Sequence, residues 1–292
     1  MDPLTTALTP LHHTSGGLEY WEYNPGGTPT LVVIHGYRGT HHGLERIIAH
    51  MPEARFIVPD LPGFGQSRPL KDKAHTIENY SETIAEFMTA EQLVGSVIIG
   101  HSMGSIVAAE LARTHPDFMS LLILINPIAS HPLKGASGLI VRPSIVYHWL
   151  GGKALPTRIG RQLLDSKTFL LFGSILMAKT RNPALRKIIH DNHLTHMREY
   201  SSPATLYEAY LGSLSGTVTD RAAHITVPTL LIAGERDDLA PPATQQKLLD
   251  ALQDAQLVVI DNVGHLIHYE KPAEAAGAIA KFLNLKAVRK VQ

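Results

Sequence analysis

The sequence predicts an α/β fold: a mostly parallel sheet with helices on both faces and a helical cap inserted past its middle strands. Three observations lead there. Short β-branched apolar runs alternate with helix-spaced segments up to residue 125, the alternation lapses from 131 to about 222, and it resumes after Val227-Pro228. The core is therefore expected over residues 1–130 and 223–292, and the cap over 131–222.

Each element has its own signal. Gly16-Gly17 and Gly26-Gly27 flank Leu18 to Tyr23, which suggests an antiparallel hairpin leading in. The run Thr30 to Ile34 is short, apolar and closed by His35-Gly36, as a buried strand requires. Residues 41–51 carry helical spacing, and Arg55 to Val58 forms a second strand closed by Pro59-Asp60. A helix is expected over 76–93, with Thr76 as N-cap and Ile77, Tyr80, Ile84, Phe87 and Met88 on its buried stripe. Ser96 to Ile99 is a strand, Met103 to Thr114 a helix rich in small residues, and Leu121 to Ile125 a strand. After the helical block come a strand at 229–233, a helix at 243–253, a strand at 257–260 and a helix at 272–284.

Composition narrows the class. The chain has 292 residues, is 44% hydrophobic and 18% charged, and carries no formal net charge, so it can bury a sizeable core and nothing global favours nucleic acid. With no cysteine, disulfides, a thiol nucleophile and thiolate metal sites are excluded. The N-terminus lacks a basic start followed by an apolar run, and no stretch approaches the roughly 18 apolar residues of a spanning helix, so a cytoplasmic location is expected.

Gly100-His101-Ser102-Met103-Gly104 matches G-x-S-x-G, and it follows an apolar strand directly while opening a helix. That setting is what a nucleophile needs. The turn is so tight that the serine takes a strained backbone conformation, and the glycines let neighbouring backbone approach. The helix N-terminus beneath favours developing negative charge.

A serine hydroxyl requires a base. Among 17 histidines, His265 is best placed, just after the last expected strand; His268, one turn on, competes, and His101 is fixed beside the serine. In a parallel sheet, the loops that follow strands gather on one edge. The orienting acid should follow a strand too, where Glu235, Asp237 and Asp238 compete. Asn126, at the end of the strand before the helical block, is rejected because a neutral amide cannot stabilise an imidazolium as a carboxylate does.

With these residues in place the sequence resembles the α/β-hydrolase superfamily, in its capped branch of esterases, lipases and carbon–carbon bond hydrolases. The resemblance covers about residues 18–285 and rests on His35-Gly36-Tyr37-Arg38, Asp60 to Ser67, the serine turn and Gly264-His265. It implies Gly-x-x-Asp after the penultimate strand, which selects Asp237, and oxyanion donors at the backbone N–H groups of Tyr37 and Met103. It also implies that Asp60 to Ser67 is architectural, with Phe64 a candidate pocket residue. Serine at 102 argues against epoxide hydrolases and haloalkane dehalogenases, which place aspartate there. Ser105 stands where the family often has glycine.

The expected activity is hydrolysis of a carboxylic ester with a hydrophobic acyl group, through an acyl-enzyme on Ser102, with His265 as base and Asp237 orienting it. Hydrolysis of a carbon–carbon bond and a non-catalytic, ligand-binding role are the alternatives. No metal or organic cofactor is implied, because the pairs His12-His13 and His41-His42 have no matching carboxylate pattern. Residues 131–200 hold eleven Lys or Arg against three Asp or Glu, interleaved with apolar stretches. The plain expectation is a cap with a solvated basic face; the sharper one is peripheral contact with anionic lipid or an anionic substrate.

Overall fold

The computed structural model describes Thr5, residues 8–131, Leu133 and residues 137–291. Eight strands form one sheet in the order β1-β2-β4-β3-β5-β6-β7-β8. The hairpin of β1 (Leu11–Ser15) and β2 (Leu18–Tyr23) turns at Gly16-Gly17, both with positive φ, and pairs antiparallel with β4 (Arg55–Pro59). From β4 onward the sheet is parallel: β3 (Thr30–Ile34), β5 (Ser96–His101), β6 (Met119–Ile125), β7 (Thr229–Gly234) and β8 (Ala255–Ile260).

The unbroken apolar character of the central strands has a geometric cause. Successive side chains point to opposite faces, and both faces are covered. Leu31 and Val33 belong to one core, whereas Val32 and Ile34 belong to the other. The first core lies under α1 (Glu45–Ile48) and α11 (Pro272–Val291), which contribute Ile47, Ile48, Ile279 and Phe282. The second lies under α2 (Ile77–Ala90), α3 (Met103–Thr114) and α9 (Pro242–Ala251). Thr76 caps α2 by accepting from the Asn79 amide at 3.3 Å.

Between β6 and β7 run α4 (Ser137–Trp149), α5 (Thr157–Leu164), α6 (Lys167–Met177), α7 (Pro183–His196) and α8 (Pro203–Leu214). This helical block is tied to the core by an isolated antiparallel bridge between Phe64 and Tyr200. There Gly65 N donates to Glu199 O (2.8 Å) and Ser201 N to Gly63 O (2.9 Å).

Several boundaries differ from the sequence reading. The helix expected at 41–51 is a 3-10 turn, His41–Leu44, followed only by α1. The Asp60 carboxylate accepts from both the His41 amide (2.7 Å) and the His41 ring (3.1 Å), which fixes that first turn. Strands β6 and β8 each begin two residues earlier than expected. A short helix, α10 (Ile267–Glu270), precedes α11.

Candidate active site

Five strands deliver the site residues to one edge of the sheet. Ser102 follows β5, Asn126 follows β6, Asp237 and His265 follow β7 and β8, and His35-Gly36-Tyr37 follows β3. Ser102 has φ 52° and ψ −119°, a conformation that L-residues rarely adopt. Its glycine neighbours are there for space. A Cβ on Gly104 would lie 2.1 Å from the Ile34 carbonyl oxygen, and one on Gly100 would lie 2.6 Å from the Gly104 carbonyl oxygen. Ser105 is fully buried; its hydroxyl donates to the Ser102 carbonyl and accepts from the Ile128 amide (3.2 Å), so it packs the turn from below.

The imidazole of His265 joins the two other sequence candidates. Its Nε2 lies 2.9 Å from Ser102 Oγ and its Nδ1 lies 2.8 Å from Asp237 Oδ2. An ionised carboxylate only accepts, so Nδ1 carries the proton and Nε2 presents its lone pair to the serine hydroxyl. Asp237 is buried, yet four donors serve it. Oδ1 accepts from the Leu239 (2.9 Å) and Ala240 (3.0 Å) amides, and Oδ2 accepts from His265 and from Asn126 Nδ2 (2.8 Å). Burial alone would raise its pKa, but the His265 ring and the two amides outweigh it and bring the carboxyl down to about 2.

The competing residues are engaged elsewhere. Asp238 pairs with Lys179 at 2.6 Å, and Glu235 accepts from the Asn262 amide. His268 packs against His101 at 4.4 Å between ring centroids, and His101 in turn lies 5.6 Å from His265. Burial, with His265 close by, lowers His101 to about 3, so a neutral ring backs the site. His41 bonds Asp60, His42 bonds Glu45 and His12 bonds Glu19. Among the described residues no group of His, Asp or Glu is arranged to hold a metal ion.

The two backbone amides singled out by the sequence flank the serine differently. Met103 is the first residue of α3, where amides have no intrahelical acceptor. Tyr37 lies beyond Gly36, whose missing side chain lets this strand end approach; a Cβ there would lie 3.1 Å from Ser102 Cβ. His35 fastens the segment, its Nδ1 donating to Gly36 O (2.8 Å) and its Nε2 accepting from Leu61 N (2.8 Å). Phe64 is fully buried edge-on to Tyr37, and Asp60 receives the Gln66 amide (2.9 Å), so this turn braces the site.

Sequence reasoning missed two supports. Asn126, set aside as a candidate acid, is a donor: its amide bridges Asp237 and the Gly264 carbonyl (3.3 Å). Only its place at a strand end pointed to it. Tyr37 and Arg38 both bond to the helical block, Tyr37 OH donating to Leu206 O (3.1 Å) and Arg38 Nη2 to Leu164 O (3.0 Å). Arg38 is buried at positive φ with its guanidinium 5.6 Å from the Tyr200 ring centre. A charged group at the C-terminal carbonyls of α5 is favourably placed.

Residues 29–272 match the sequence profile of the alpha/beta hydrolase fold. An uncharacterised hydrolase of Bacillus subtilis is 24% identical over 277 residues, spanning 90% of this chain and 93% of its own. The magnesium-chelatase 30 kDa subunit of Rhodobacter capsulatus is 28% identical over 283 residues, covering 92% of each. A thermophilic esterase from Thermogutta terrifontis superposes with a TM-score of 0.73 at 22% identity, over 96% of this chain and 98% of that one.

Proposed function

This chain belongs to the α/β-hydrolase family, and from that premise we propose that it is a serine hydrolase that cleaves a carboxylic ester through an acyl-enzyme intermediate. The observation that carries the reading is the unbroken hydrogen-bonded line from Ser102 Oγ through the His265 ring to Asp237, at 2.9 and 2.8 Å. His265 Nε2 takes the hydroxyl proton as Ser102 Oγ attacks the ester carbonyl. Asp237 holds the ring in the required tautomer and stabilises the imidazolium that forms. The N–H groups of Tyr37 and Met103 receive the oxyanion, each contributing about 10²–10³ in rate. His265 then protonates the departing alcohol, and in the second half-reaction it activates the water that releases the acid.

The rings of His148 and Tyr210 from the helical block, packed against Tyr37 at 5.6 and 5.4 Å, support a hydrophobic acyl group. An ester panel varying acyl length tests this, run beside a fluorophosphonate probe and a ring-cleavage diketone. Ester turnover and probe labelling that both vanish in Ser102→Ala are expected. Turnover of the diketone with none of any ester would replace this reading with carbon–carbon bond hydrolysis. Native protein that neither labels nor turns over would point to a ligand-binding role.

A further inference from the structure

We propose that the outer face of the cap, built on α4 and α6, docks on an anionic lipid bilayer. Most of the large apolar side chains that the described surface leaves exposed are concentrated on this block. On α4 they are Val146 and Trp149, spaced three apart; on α6 they are Phe169, Phe172, Ile175 and Leu176, with Phe172 62% exposed. Those spacings put each set on one face of its helix. The two helices meet where the Tyr147 and Phe169 rings stack at 4.2 Å, so the faces adjoin. Contiguous apolar surface of this kind marks a binding face.

The charge around it selects the partner. Residues 118–190 contain ten Lys or Arg and one carboxylate, Asp165, in a chain whose net charge is zero. Asp165 is already engaged by Tyr200 and Arg161. Arg142 shares the α4 face with Val146 and Trp149, Lys167 opens α6, and Lys153 and Arg158 lie on the connection between. All four are exposed, and none meets a carboxylate in an ion pair among the described residues. Exposed rings and aliphatic chains bordered by unpaired cations match a bilayer interface, where the first enter the acyl boundary and the second meet headgroups. Among the described residues no helix is long and apolar enough to cross a membrane, so the contact is one of lying on the surface.

Docking would also orient the site. The opposite face of α4 carries His148, stacked on Tyr210 at 3.9 Å and edge-on to Tyr37 at 5.6 Å. The helix that rests on lipid thus lies directly over the loop bearing the Tyr37 amide.

The test is vesicle flotation of the full chain on phosphatidylcholine alone and on phosphatidylcholine mixed with phosphatidylserine, at low and high salt. Binding is read without turnover, so the result is independent of whether Ser102 attacks an ester. Retention on the anionic vesicles only, weakened by salt, is expected. Lys153→Glu/Arg158→Glu should lower the partition at least about tenfold, and Phe172→Ser/Ile175→Ser should lower it comparably, both with unchanged thermal unfolding midpoints. Equal retention on both vesicles, no retention at low salt, or folded variants that bind like the native chain would overturn the proposal. So would a dimer in sedimentation velocity that Phe172→Ser/Ile175→Ser dissolves, because the face would then belong to a second copy.

Discussion

Replacing Asp237 by asparagine tests the hydrogen-bonded line most severely, since the carboxylate accepts four bonds and donates none. An amide must turn its NH2 toward one pair of donors. Facing Leu239 and Ala240, it would strand two buried N–H groups at about 1–3 kcal/mol each. Facing His265 and Asn126, it can be relieved by moving the imidazole proton to Nε2 and turning the Asn126 amide so that its oxygen accepts, which leaves Ser102 Oγ opposite an N–H instead of a lone pair. The second arrangement is the less costly, and it removes the base. A fall in kcat/KM of about 10⁴ is therefore expected, read on a chromogenic ester with active protein counted by fluorophosphonate labelling. Stability changes too. The drop from the ordinary 3.8 to about 2 corresponds to roughly 2–3 kcal/mol favouring the native state. Because the folded value lies below the unfolded one, this stabilisation is present above about pH 4 and is lost as pH falls through about 2. Denaturant unfolding of the native protein should show that acid slope, and Asp237→Asn should lack it while being less stable at neutral pH. A variant that keeps its activity within about tenfold, or a larger loss from Asp238→Asn, would refute the assignment of the acid.

Other perturbations give separate readings. Ser102→Ala should abolish ester turnover by about 10⁴-fold or more while leaving the unfolding midpoint near that of the native chain. Asn126→Asp would place two carboxylates at the 2.8 Å now spanned by an amide donor; one of them must hold a proton near neutrality, so its pH–rate profile should acquire a new ionisation that Asn126→Ala lacks. Gly104→Ala, with its Cβ 2.1 Å from the Ile34 carbonyl oxygen, should destabilise by at least about 2 kcal/mol in urea unfolding.

The strands were legible because burial on both faces leaves an apolar residue at every position, a pattern that Val32, Val33 and Ile34 display without any partner in view. Ser102 was legible for a local reason, since the strained turn writes its glycines within two residues on either side. Where a contact spans the chain, the signal disappears. Nothing near Asn126 says that its amide will meet Asp237, 111 positions away, and nothing near Arg38 announces Leu164, 126 positions away. The fragment at 41–51 failed for a related reason: helical spacing was present, but the buried carboxylate of Asp60 took the first turn for itself.

Tyr37 and Arg38 sit in the hydrolase core by sequence, yet each is fastened to a carbonyl of the cap helices. Replacing the helical block of this chain would therefore reach the core loop as well, whatever its part in admitting substrate. A chimera without acceptors at the positions of Leu164 and Leu206 would release the segment that carries the Tyr37 amide, the proposed oxyanion donor, and turnover of even the smallest ester should suffer. Under the proposed function, substrate choice and chemical rate would have to be optimised together.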